Sequence, residues 1–169
     1  AYLKHWIEHS EEFGLKTTLQ GWDLGAIVQR KNGVGQDIRA GMGALLKKNG
    51  VDLISGQGIL KNLKEVSVDG NSYAAQKIII ATGSSPAVPP VPGLADLALT
   101  AEQVFDLEAL PASVLILGGG PIEVETAAIF VAFGTKTTLA VPERRILPKE
   151  DNGTSQRLTQ ALKDQGIEI

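Results

Sequence analysis

One stretch limits the possible folds more than any other: VLILGGGPIEVETAAIF, residues 114–130. An apolar strand runs straight into Gly118, Gly119 and Gly120, and a helical run begins at Pro121. Gly134 is a stop signal for that helix, and KTTLAV at 136–141 reads as the next strand. Strand, turn, helix and strand in this order make an α/β unit, because a helical crossover lets the second strand return parallel to the first. A further helix over roughly 153–165 and the closing GIEI, which reads as another strand, continue the alternation.

Upstream the pattern changes. Residues 1–13 carry Leu3, Trp6, Ile7 and Phe13 on one helical stripe, ended by Gly14. Asp23 is placed to cap a segment carrying Leu24, Ile27 and Val28, and farther on Val34, Ile38, Met42, Leu45 and Leu46 fall on one face at helical spacing. Gly33, Gly35, Gly41 and Gly43 interrupt that helix, each costing up to ~1 kcal/mol relative to alanine. Its continuity is therefore open. KKNG at 47–50 closes it with cations and a glycine.

From there the period shortens. VDLISGQGIL (51–60) and KEVSVDGNSYAAQKIIIATGS (64–84) read as short strands separated by turns such as Asp69-Gly70. Within them KIIIATG (77–83) is a β-branched run, which predicts a strand buried on both faces. PAVPPVPG (86–93) keeps the chain extended as a connector. TAEQVFDLEALP (100–111) then offers a short helix with Thr100 before it as a cap. The chain reads as the back half of one α/β unit, a proline connector and the front half of another.

Composition excludes several function classes. Hydrophobic residues make up 43%, enough for a buried core, and 16 Lys+Arg against 19 Asp+Glu give a net charge of -3. A nucleic-acid partner would call for a basic excess, so none is expected. AYLKHWIEHSEE is charged where a secretory signal needs an apolar stretch, and no apolar run nears the ~20 residues that span a bilayer. A cytoplasmic protein with no membrane partner is the expectation. Cysteine is absent, which removes disulfides, cysteine zinc sites and thiol chemistry by this chain's own side chains. HWIEH places His5 and His9 four residues apart around Glu8, a spacing that can turn two imidazoles toward zinc. No third ligand is evident, and the polar side of an amphipathic helix explains the same residues; no metal is expected.

The glycine turn carries the chemistry. In a dinucleotide-binding turn the first glycine allows the bend, the second lets main chain approach the pyrophosphate, and the third lets helix and strand pack closely. The helix N-terminal amides then attract the anion. Gly118 and Gly120 take the first two places, but Glu123 stands in the third. A carboxylate in the first helical turn suits the helix and repels a neighbouring pyrophosphate, by about 1 kcal/mol. The residues alone leave two readings, a nucleotide turn and a plain buried strand-to-helix turn. Some ~20 residues on, an acid at the end of the next strand should grip the ribose, yet that strand ends at Val141. Glu143, Arg144 and Arg145 follow. They read as a solvated loop, or as Glu143 standing in for the ribose acceptor, or as an arginine meeting the 2′-phosphate of NADP.

Several motifs in sequence order carry a resemblance. KIIIATGSSPAVPPVPG, VLILGGGPIEVETA, GTKTTLAVPERRILPKED and LKDQGIEI, with AYLKHWIEHSEEFGL and ALLKKNGVDLISGQG upstream, resemble the FAD-dependent pyridine nucleotide–disulfide oxidoreductases, in particular those of the dihydrolipoamide dehydrogenase type. The likeness covers nearly the whole chain. It implies an α/β fold made of parts of two Rossmann-like three-layer nucleotide-binding domains. Residues 1–93 would be the C-terminal part of the FAD-binding domain, 94–110 a connector and 111–169 the N-terminal part of the NAD(P)-binding domain. It also implies FAD and NAD as cofactors, with NADP possible. Thr82, Gly83 and Ser84 would lie near the flavin nucleotide and Gly58 against the adenine. Gly118, Gly119, Gly120, Pro121, Ile122, Glu123, Val124 and Glu125 match the nicotinamide-nucleotide loop, Glu125 near the flavin–nicotinamide contact. Val141 falls where dehydrogenases of the family carry the ribose acid.

The family also has an FAD glycine motif and a redox cysteine pair ahead of the region matched here, and a C-terminal dimerisation domain with a His–Glu pair after it. The expectation is thus an internal fragment of a flavoprotein that moves hydride between NAD(P)H and a dithiol/disulfide such as lipoamide. No catalytic residue is assigned to the chain itself. The full-length parent would be a homodimer and the isolated chain inactive. A non-catalytic nucleotide-binding or interaction module is the competing reading.

Overall fold

A computed structural model describes residues 2–169, and Gly14, Gly50 and Gly134 stop helices as the sequence indicates. Helix α1 (Tyr2–Glu8) passes into a 3-10 turn (Ser10–Phe13) and stops at Gly14, whose φ of 74° is left-handed. Helix α2 (Leu24–Lys48) is continuous over 25 residues, which settles the open point. Asp23 starts it, its Oδ1 accepting from the Ala26 N–H at 3.0 Å. Gly50 at φ 70° ends it, with the Val51 N–H donating to the Leu46 oxygen at 3.0 Å.

The chain divides into two compact units, Gln29–Asp96 and the residues up to Val28 together with Leu97–Ile169. The first holds most of α2 and an antiparallel sheet of β1 (Gly58–Asn62), β2 (Glu65–Val68) and β3 (Asn71–Ala74). Val68 pairs with Asn71, so Asp69-Gly70 is a two-residue loop. Its φ values of 46° and 87° are both positive, as a type I′ hairpin needs to match the twist of its strands.

Two expectations fail here. The first seven residues of VDLISGQGIL are not strand, since β1 begins only at Gly58. KIIIATG is not a doubly buried strand either, with Ile79 91% and Ile80 69% exposed. A strand is made by its neighbours, and among the described residues none pairs with this run. PAVPPVPG does lack regular structure up to the short α3 (Leu94–Leu97).

The second unit contains α4 (Ala101–Val104), β4 (Ser113–Leu117), α5 (Pro121–Ala132), β5 (Lys136–Ala140) and α6 (Asn152–Asp164). Thr100 and Gln103 close a capping box around α4, the Thr100 N–H donating to Gln103 Oε1 at 2.8 Å. Strands β4 and β5 run parallel, from Ser113 opposite Lys136 to Leu117 opposite Ala140. The other edge of β5 takes a single parallel bridge from Glu168, so GIEI adds one rung rather than a strand. The core joins Val124 and Ala127 of α5, Leu139 of β5, Ile146 of the following loop, Leu162 of α6 and Ile167. Phe130 is buried as well, and Trp22 packs edge-on against Phe133 at 5.1 Å. Among the described residues no helix is long and apolar enough to cross a membrane.

Candidate functional site: the glycine turn after β4

Each glycine of the turn has a separate cause. Gly118 leaves β4 at φ 124°, a conformation side chains disfavour, and its N–H still donates to the Ala140 oxygen at 2.8 Å. Gly120 is the N-cap of α5, and Pro121 follows at a position whose N–H has no helical partner to lose. Gly119 is buried. A Cβ there would lie 2.6 Å from Val141 Cγ1 and 3.4 Å from the Ile146 Cα. Its oxygen accepts from the Leu147 N–H at 2.7 Å. The middle glycine therefore exists to let the loop after β5 close on the turn.

That loop is firmly held. Fully buried Ser155 donates its hydroxyl to the Ile146 oxygen at 2.7 Å. Arg145 donates to Asn152 Oδ1 at 2.8 Å and to the main-chain oxygens of Pro148 and Glu150 at 3.1 and 3.0 Å. Leu147 sits at φ 47°, a left-handed conformation costing roughly 1–2 kcal/mol for a side-chain-bearing residue. Its hydrogen bond to Gly119 and its packing on the core offset that cost.

Glu123 folds back over the turn. Its Cγ and Cδ come within 3.0 and 3.1 Å of where a Gly118 Cβ would stand, and its Oε2 within 2.7 Å of where a Gly120 Cβ would stand. As arranged, the Glu123 carboxylate lies beside the turn, where a pyrophosphate drawn to the start of α5 would meet it.

The other expected site residues divide clearly. Val141 is brought to the turn, half-buried against Gly119, and offers no ribose acceptor. Val124 belongs to the core, whereas Pro121, Ile122, Glu125 and Glu143 are exposed. Arg145 is committed to its loop. Exposed Arg144 lines an open groove of about 720 Å³ with Arg145, Asn152, Gln156 and Gln160 among others. On the FAD side, Gly58, Thr82, Gly83 and Ser84 are all exposed. Gly83 has φ 76°, and a Cβ on Gly58 would meet only Val66 Cγ1 at an ordinary 3.7 Å. These four residues leave main chain open to a flat ligand but build no cradle for FAD by themselves.

Ile146 and Leu147 were not singled out by sequence reasoning. Their one signal is an apolar pair inside the charged PERRILPKED. In HWIEH, Glu8 pairs with Lys4 at 2.6 Å and His9 Nδ1 donates to the His5 oxygen at 2.9 Å. Among the described residues no group of three metal-ligating side chains comes together.

Strand β4, the glycine turn, α5 and β5 define a parallel nucleotide-turn unit of the Rossmann kind. Residues 2–169 match the pyridine nucleotide-disulphide oxidoreductase model, and the chain belongs to that family. Enzymes of this family depend on FAD and exchange electrons with NAD(P). The chain is 40% identical to a dihydrolipoyl dehydrogenase of Acholeplasma laidlawii, over 96% of this chain and 50% of that one. It is 31% identical to a mercuric reductase of Bacillus cereus, over 99% and 27%. A solved structure of the HOCl-induced flavoprotein disulfide reductase RclA from Escherichia coli, a Cu(II) complex, superposes with a TM-score of 0.79 at 31% identity, covering 98% of this chain and 37% of that one. The chain spans half or less of the length of these relatives.

Proposed function

We propose that the chain is the central part of a longer flavoprotein reductase of the dihydrolipoamide dehydrogenase type, acting between NAD(P)H and a dithiol/disulfide such as lipoamide. The observation that carries this reading is the β4–turn–α5–β5 unit, with Gly118 at φ 124° and Gly120 opening α5, inside a chain matched end to end by the family. When bound, FAD supplies the relay between nicotinamide and disulfide. This chain's contribution is positioning. Gly118, Gly120 and Glu123 would face the nicotinamide nucleotide, Gly119 and Val124 being buried, and exposed Glu125 matches the residue the family holds near the flavin–nicotinamide contact. Gly58 and Thr82 to Ser84 lend open main chain to the flavin nucleotide.

In this reading residues 1–93 belong to the FAD-binding domain, 94–110 connect, and 111–169 belong to the NAD(P)-binding domain. The packing of Trp22 on Phe133 crosses that division. The chain has no cysteine, so the redox thiols come from elsewhere in the parent, as does its homodimer interface. Apolar side chains left exposed along α2, among them Val34, Ile38 and Met42, support a larger parent that covers them.

The test has two arms. The 169-residue chain alone is expected to purify colourless and to show no NADH- or NADPH-dependent lipoamide reduction, whereas the full product of its reading frame is expected to be yellow and active. Flavin in equal molar amount on the isolated chain overturns the fragment reading. The position of Glu123, which hinders a bound phosphate, favours the second reading, a non-catalytic nucleotide-binding or interaction module. Lipoamide reduction by the full product rules it out.

A further inference from the structure

We infer that the Glu123 carboxylate is a built-in occupant of the anion cradle at the start of α5, and that a nicotinamide dinucleotide binds only after this side chain swings out. The inference rests on the proposed nucleotide turn and adds how that turn is controlled. Three observations carry it. First, the same side chain reaches both glycines that would face a pyrophosphate, Gly118 through Cγ and Cδ and Gly120 through Oε2. Second, Glu123 lies in the first turn of a 12-residue helix, where free main-chain N–H groups favour an anion. A pyrophosphate drawn to that helix start would therefore meet the carboxylate already beside it. Third, the two kinds of obstruction around the turn differ. Gly119 is blocked by Val141 and by the main chain of Ile146, which cannot move without opening the core. Gly118 and Gly120 are blocked only by the far end of a flexible side chain.

Among the described residues no hydrogen bond or ion pair holds Glu123, so rotation about its side-chain bonds clears the cradle while the rigid turn stays in place. The displaced carboxylate remains beside the ligand and still repels its phosphates. Glu123 therefore acts on affinity as a specificity-determining residue. It penalises phosphate-bearing nucleotides and is indifferent to the bare nucleoside.

Calorimetric titration of the 169-residue chain with ADP-ribose, NADH and adenosine tests this. Glu123→Gly is expected to tighten ADP-ribose and NADH roughly tenfold. Glu123→Gln, which keeps the shape without the charge, is expected to tighten them about threefold. Adenosine binding should not change, and Glu150→Gln, an equal charge change on an exposed residue, should behave as the parent chain. Far-UV circular dichroism checks each fold; should the glycine variant fail to fold, the glutamine variant still decides the charge effect. If all forms bind ADP-ribose equally, or adenosine gains as much as ADP-ribose, the gate is wrong while the nucleotide reading stands. If no form binds ADP-ribose at all, the nucleotide reading fails and takes the gate with it.

Discussion

Between Leu97 and Ile169 the chain sinks seven apolar side chains into a core, while between Gln29 and Asp96 the one deeply buried side chain among the described residues is Ser67. Both regions are rich in regular structure, so the contrast lies in how their elements close. In the parallel unit, α5 crosses from β4 to β5 and covers the strands it connects, and α6 adds to the same core. The crossover that makes the pairing also makes the packing. The other region has a long helix and a hairpin-linked sheet, whose connections bring strands together edge to edge and leave the side chains of β1 and β3 exposed. Local sequence can complete the first arrangement. The second needs a further layer.

The contrast can be tested hardest at its centre. Phe130→Ala, at 2% exposure, should cost about 3–5 kcal/mol in urea unfolding. Ile38→Ala, on the exposed side of α2, should stay within about 0.5 kcal/mol. Equal losses would mean that the second region has a core of its own. A smaller effect is expected at the turn, where Gly119→Ala drives a methyl against Val141 and should destabilise by roughly 1–3 kcal/mol. Adding Val141→Ala should return part of that loss, and a double-mutant cycle measures the coupling. The smallest change has the opposite sign. Nothing lies within 4 Å of a Cβ built on Gly33, so Gly33→Ala should stabilise α2 by about 0.5–1 kcal/mol, read as a stronger helical signal in far-UV circular dichroism.

What was legible in the sequence is what short-range chemistry determines. Gly14 and Gly134 end helices because left-handed backbone suits glycine, and Asp69-Gly70 turns a hairpin for the same reason. Thr100 and Gln103 cap each other across one helical turn. The order from β4 to β5 follows from periodicity. KIIIATG misled because its composition describes the surroundings such a run prefers, and those surroundings are other strands. The site was half visible. Gly118 and Gly120 carry their own signature, and Glu123 announced a conflict, but the direction in which its side chain resolves that conflict depends on the turn's shape. The need for Gly119 comes from Val141 and Ile146, more than 20 residues away, and nothing local marks it. Arg145 reads as a surface charge until the fold places the oxygens of Pro148 and Glu150 beside it.

The bare isoleucines at 79 and 80 have a practical consequence. With no strand paired alongside among the described residues, the segment from Lys77 to Ala81 offers unpaired peptide groups flanked by β-branched side chains, the composition from which intermolecular cross-β stacks grow. Lys77 at one end is its sole charged brake. Concentrating the chain therefore favours self-association through this segment, and a charged residue at position 79 is the direct way to keep it dispersed.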